Sequence, residues 1–148
     1  MDIQTLTDTE LLFGYKNVAL YYENRLTKVK DGFNRRRLNS YLELMQIELS
    51  STGSCDSNNN FRKNPVSFFK YDKHHDLSQI VSLFKHLRNS FAHGNVEKVM
   101  IGNRPYYCFV DIYTMGKKKD KFSMMGQIPA KAFKGFIQEL KENQKKLL

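Results

Sequence analysis

Arg88, Asn89 and His93 fall within one stretch, FKHLRNSFAHGN, residues 84–95. An imidazole that titrates near neutrality can take a proton from a hydroxyl or return one to a leaving oxygen. A guanidinium offers planar donors to an oxyanion as charge builds. An amide orients either partner. The set suits cleavage of a phosphodiester by an internal 2′-hydroxyl, a nucleophile that RNA has and DNA lacks. Arginine and histidine often share a helix, so the plain alternative is a surface histidine closing a helix, with Arg88 in a routine ion pair.

The element that must position these residues is a helix from about His75 to His93. Leu77, Ile80, Phe84, Leu87 and Phe91 recur at three- and four-residue steps, and Gly94 suits the stop. At about 100° per residue, His86, Asn89 and His93 share the polar face opposite Phe84. Arg88 falls at the edge of the apolar stripe. A site using Arg88 with His93 is therefore built more readily across two subunits than within one.

Other segments supply the scaffold. Thr7 and Glu10 have capping-box spacing and open a first helix. Its stripe is Leu11, Tyr15, Val18, Tyr22, Leu26 and Val29, widened by Leu12, Ala19 and Tyr21. So broad an apolar surface calls for two partners, the core and either a second subunit or another helix of the bundle. A second helix starts near Asn34, with Leu38, Tyr41, Leu42, Met45 and Leu49 on one face. Its first turn carries Arg35, Arg36 and Arg37, where cations oppose the helix dipole and a phosphate would compensate. Ser50–Asn64, rich in Ser and Asn, predicts a mobile loop. The aromatic residues of 65–71 predict anchors on the bundle.

Beyond Asn95 the texture changes. Residues 96–101 are a short apolar run, 106–114 a strand rich in aromatic and β-branched residues, and 121–128 a weaker strand. Lys117, Lys118 and Lys119 lie in the turn between the two. Pro129 opens a last helix that buries Ala132, Phe133, Phe136, Ile137 and Leu140. The expected fold is mainly α: a bundle of about four helices, with a small antiparallel β-hairpin or three-stranded sheet inserted at about 96–128, in one domain over 1–148.

Composition narrows the partners. There are 24 Lys and Arg against 15 Asp and Glu, a formal net charge of +9, which favours polyanions and nucleic acid first. Arg35, Arg36, Arg37, His86, Lys117, Lys118 and Lys119 are the candidate RNA contacts. The two cysteines form no CxxC, so neither a zinc site nor a disulfide framework is expected. No metal ligands or cofactor are read from the residues. The opening MDIQTLTDTE does not read as a signal peptide, and no apolar run is long enough to span a membrane. A cytoplasmic location is expected.

The segment Leu87–Gly94, LRNSFAHG, resembles the Arg-x(4–6)-His motif of HEPN domains (higher eukaryotes and prokaryotes nucleotide-binding), with Asn directly after Arg. The resemblance implies a homodimeric, metal-independent endoribonuclease acting at a composite site, of the toxin or antiphage-defence kind. Arg88 and His93 are then catalytic and Asn89 supporting, with RNA as substrate and an antitoxin or regulatory protein as a further partner. HEPN toxins paired with a nucleotidyltransferase often carry Tyr two residues after the His. Here that residue is Asn95, so that partner is not implied. The second expectation is a non-catalytic HEPN-fold module that binds RNA or a protein, or serves dimerisation.

Overall fold

A computed structural model describes residues 3–26, 32–51, 55, 59–74, 76–113 and 121–144. Its centre is a six-stranded sheet. The strands are β1 (Ile3–Gln4), β2 (Ile47–Ser50), β3 (Ser67–Tyr71), β4 (Val96–Ile101), β5 (Arg104–Ile112) and β6 (Phe122–Pro129). They run in the order β1-β4-β5-β6-β3-β2, with β2 parallel to β3 and every other pair antiparallel. The helices are α1 (Asp8–Gly14), α2 (Arg35–Met45), α3 (Gln79–Ala92) and α4 (Ala130–Glu142).

This corrects the expected fold. The protein is an α/β sheet structure, not a mainly α bundle with a small β insertion. The segment expected to hold a hairpin or a three-stranded sheet forms β4, β5 and β6, but the sheet extends past it on both sides to six strands. In sequence β2 continues the second helix, because Leu49 lies four residues after Met45 and imitates a helical stripe. The helix stops earlier, at Gln46, which takes a left-handed conformation with φ 56°. The anchors expected over 65–71 are strand β3. Phe68 and Phe69 are buried on opposite faces of the sheet, so the strand shows no polar alternation.

The main core lies between one face of the sheet and all four helices. Phe69, Tyr71, Tyr107, Phe109, Met124 and Ile128 point into it from the strands. Phe136 stacks on Phe69 with ring centroids 5.4 Å apart, and Phe133 packs on Phe109 at 5.2 Å. Pro129 is the N-cap of α4, and Phe133, Phe136, Ile137 and Leu140 are buried as expected, while Ala132 is half-buried.

The Thr7–Glu10 capping box forms, with both reciprocal hydrogen bonds present. Past Gly14 the helical run widens into two π-helical turns, Tyr15–Ala19 and Tyr22–Leu26. Gly14 is where this run crosses α3. A Cβ there would stand 2.2 Å from the Phe91 ring, so glycine permits the contact. The face of the run away from the core exposes Leu11, Leu12 and Tyr15.

The other sheet face carries Val99, Ile101, Tyr106, Cys108, Phe68 and Met125. Part of the Ser/Asn-rich segment expected to be a mobile loop covers it. Phe61 and Cys55 pack there, and the backbone N–H of Arg62 donates to Gln127 Oε1 at 2.7 Å. Fully buried Gln127 in turn donates through Nε2 to the Asn64 and Val66 carbonyls, both at 2.8 Å. Arg62 also pairs with Glu97 at 3.4 Å. Low apolar content hid this docking, because one ring and one glutamine anchor the segment.

Candidate functional site

α3 begins at Ser78, whose side chain caps Val81 N–H, and ends at His93. Gly94 follows in a left-handed conformation, φ 68°, the helix stop expected of it. The helix rests on β5. Ser90 Oγ lies 2.7 Å from the Val110 carbonyl and 2.9 Å from the His86 carbonyl of its own helix.

That seating divides the three motif residues. Arg88 turns toward the π-helical turn Tyr22–Leu26. Its guanidinium carbon lies 5.2 Å from the Tyr22 ring centre, and Nη1 is 3.8 Å from Glu23 Oε1. Its Nε is buried without a hydrogen-bond partner. Asn89 turns the other way and donates from Nδ2 to Asp111 Oδ2 at 3.0 Å. His93 is exposed at the helix end. Arg88 and His93 are about 140° apart around the helix axis, so within one chain they flank α3 and do not converge.

His86 is not on the surface. It is 3% exposed, with Nδ1 2.8 Å from Asp111 Oδ2 and Nε2 2.7 Å from the Asp72 carbonyl oxygen. A carbonyl only accepts, so Nε2 carries hydrogen. Nδ1 and Asp111 Oδ2 share a hydrogen bond, and the Asn89 amide donates to the same oxygen. The pair is sealed, with Tyr71 at 5.7 Å and His74 at 6.2 Å between ring centres. Burial, then Lys85 and His86, holds the His74 pKa below its ordinary value. His86 therefore offers no ring nitrogen to a ligand.

Asp111 was not singled out from the sequence. It follows Tyr107 and Phe109 on the helix-facing side of β5 and is 4% exposed. An acidic residue inside an aromatic, β-branched strand was the available signal, since carboxylates are seldom buried unless paired.

The other candidates are dispersed. Arg35, Arg36 and Arg37 are exposed on the first turn of α2, behind an Asn34 cap whose Oδ1 accepts from Arg37 N–H at 3.3 Å. Lys117, Lys118 and Lys119 lie outside the described residues. Among the described residues no three His, Cys, Asp or Glu side chains are placed to hold a metal ion, and no helix is long and apolar enough to cross a membrane. The chain matches no family model, no curated protein and no solved structure.

Proposed function

We propose that the protein is an RNA endonuclease that needs no metal and cuts only when two chains meet. His93 of one chain moves the proton, and Arg88 of the other stabilises the phosphate as charge builds. Asn89 positions the α3 terminus through Asp111. The observation that carries this reading is the placement of His93, exposed at the end of α3, which it joins through its backbone N–H to the Asn89 carbonyl. Arg88 stands around the helix from it, so a single chain leaves the site half built. The exposed Leu11, Leu12 and Tyr15 flank the point where Gly14 crosses Phe91, two residues before His93. They offer a second copy an apolar surface beside the motif.

A second reading, RNA binding without cleavage, is favoured by one observation. Asn89 and Arg88 already have partners within the chain, Asp111 for one and Tyr22 and Glu23 for the other.

RNA cleavage in EDTA decides between them. The endonuclease yields 2′,3′-cyclic phosphate and 5′-hydroxyl ends, and Arg88→Ala and His93→Ala abolish them while remaining folded. RNA that is bound but left whole, or cut equally by both variants, overturns the endonuclease and leaves the binding module.

A further inference from the structure

Two neighbouring cavities lie between α1 and α4. One, of about 270 Å³, is lined by Phe13, Phe91, Tyr107, Lys131 and Lys134. The next, of about 320 Å³, is lined by Phe13, Asn17, Lys134 and Lys141. They share Phe13 and Lys134, so they form one groove. Lys131, Lys134 and Lys141 are spaced three and seven residues apart and stand along one side of α4, a span of about 15 Å.

Among the described residues the charge in this groove is uncompensated. Lys134 lies over the Phe13 ring at 5.3 Å. Lys141 donates to Asn17 Oδ1 at 3.1 Å and lies over the Tyr21 ring at 5.0 Å. Among the described residues none of the three lysines meets a carboxylate. The acid that lines the groove, Glu10, is already neutralised by Lys98 at 2.8 Å and accepts from the Tyr107 hydroxyl. The floor and walls include the partly exposed rings of Phe13 and Phe91. Cations along one wall with aromatic faces beside them suit a single strand, whose phosphates and bases need those two surfaces at once.

The ends of the groove place it in the molecule. Phe91 is two residues before His93. At the other end, Asn34 N–H donates to the Asn143 carbonyl at 2.7 Å, which brings the Arg35–Arg37 turn up to the end of α4.

We propose that the α1–α4 groove is a binding track for single-stranded RNA, in which Lys131, Lys134 and Lys141 hold about three phosphates, one per lysine, and Phe13 offers a stacking face. This deepens the endonuclease reading and rests on it for the identity of the polyanion.

The test is fluorescence anisotropy of the full chain with a labelled oligouridylate, in the His93→Ala background so that nothing is cut. Lys131→Ala with Lys134→Ala is expected to weaken binding about tenfold and to lower the log–log salt slope by about 1.4. The charge-matched control, Lys63→Ala with Lys73→Ala, keeps both values. Phe13→Leu, which removes the aromatic face but keeps an apolar side chain, weakens binding with little change in slope. A polyglutamate peptide and a duplex RNA of equal charge serve as competitors. The track is overturned if both lysine pairs behave alike, if the peptide displaces the strand at equal charge concentration, or if no RNA binds. Cleavage by the wild-type groove residues is scored separately. Cutting that survives with an unaltered slope overturns the track alone, whereas failure to cut beside a lysine-dependent slope overturns the endonuclease alone.

Discussion

Asp111 Oδ2 stands 2.8 Å from His86 Nδ1 and joins strand β5 to helix α3 through a buried hydrogen bond. Asn89 shares the same oxygen, and the Asp72 carbonyl takes the other imidazole nitrogen. The network fixes the rotation of α3 about its axis, and that rotation decides where Arg88 and His93 emerge.

Removing one partner leaves the other polar group buried and unpaired. Asp111→Ala is therefore expected to cost about 1–3 kcal/mol. The double variant Asp111→Leu with His86→Leu recovers much of that loss, because apolar groups of suitable shape need no partner there. Urea denaturation of the single and double variants checks this. A double-variant loss equal to the sum of the Asp111→Leu and His86→Leu losses would show that the pair is not coupled.

Gly14 carries a different constraint. The Phe91 ring occupies the space of its missing Cβ. Gly14→Ala forces the two elements apart and is expected to destabilise the fold by about 1–3 kcal/mol. Phe91→Leu in the same chain makes room, so the double variant loses less than the sum of the singles. Additive losses in a thermal-unfolding cycle would contradict the contact.

Legibility in the sequence followed the range of the signals. The ends of α1, α3 and α4 were readable because Thr7 with Glu10, Gly94 and Pro129 act on their immediate neighbours. The strands β4, β5 and β6 were readable from composition. β2 and β3 were not, because Ile47–Ser50 continues a helical spacing and Phe68 and Phe69 are buried on both faces. A parallel pairing between strands separated by a long segment has no local mark. The angular separation of Arg88 and His93 was readable from helical periodicity alone. The burial of His86 was not, since the same polar face that carries it also carries Asn89, and only the register of β5 brings Asp111 against both.

Glu10 links α1 to β4 and β5 and gives the protein an acid-sensitive joint. Burial alone would raise its pKa. The Lys98 ammonium, the Thr7 backbone N–H and the Tyr107 hydroxyl together outweigh that and hold it down to about 2, against 4.5 for a free glutamate. A carboxylate depressed in the folded state stabilises the fold above its unfolded pKa and loses that contribution as pH falls toward its folded value. Stability should drop between about pH 4.5 and pH 2. In Glu10→Gln this portion of the drop is absent. Thermal melts across that range read the difference, and parallel curves for the two proteins would remove Glu10 from the acid limb.

The composite site makes a prediction that neither single variant can. Arg88→Ala and His93→Ala are each inactive when every site needs both residues. Mixed and allowed to exchange, they form pairs in which the intact Arg88 of one chain faces the intact His93 of the other. Half of the randomly assembled pairs are mixed, and each holds one complete site out of two. The mixture should therefore recover roughly a quarter of wild-type cleavage. A site built within one chain recovers nothing, because neither variant carries both residues. Adding Tyr15→Glu to both chains places like charges in the exposed apolar surface beside α3 and should abolish the recovery along with the dimer mass in light scattering. Recovery that persists in a strictly monomeric mixture would break the link between pairing and cleavage.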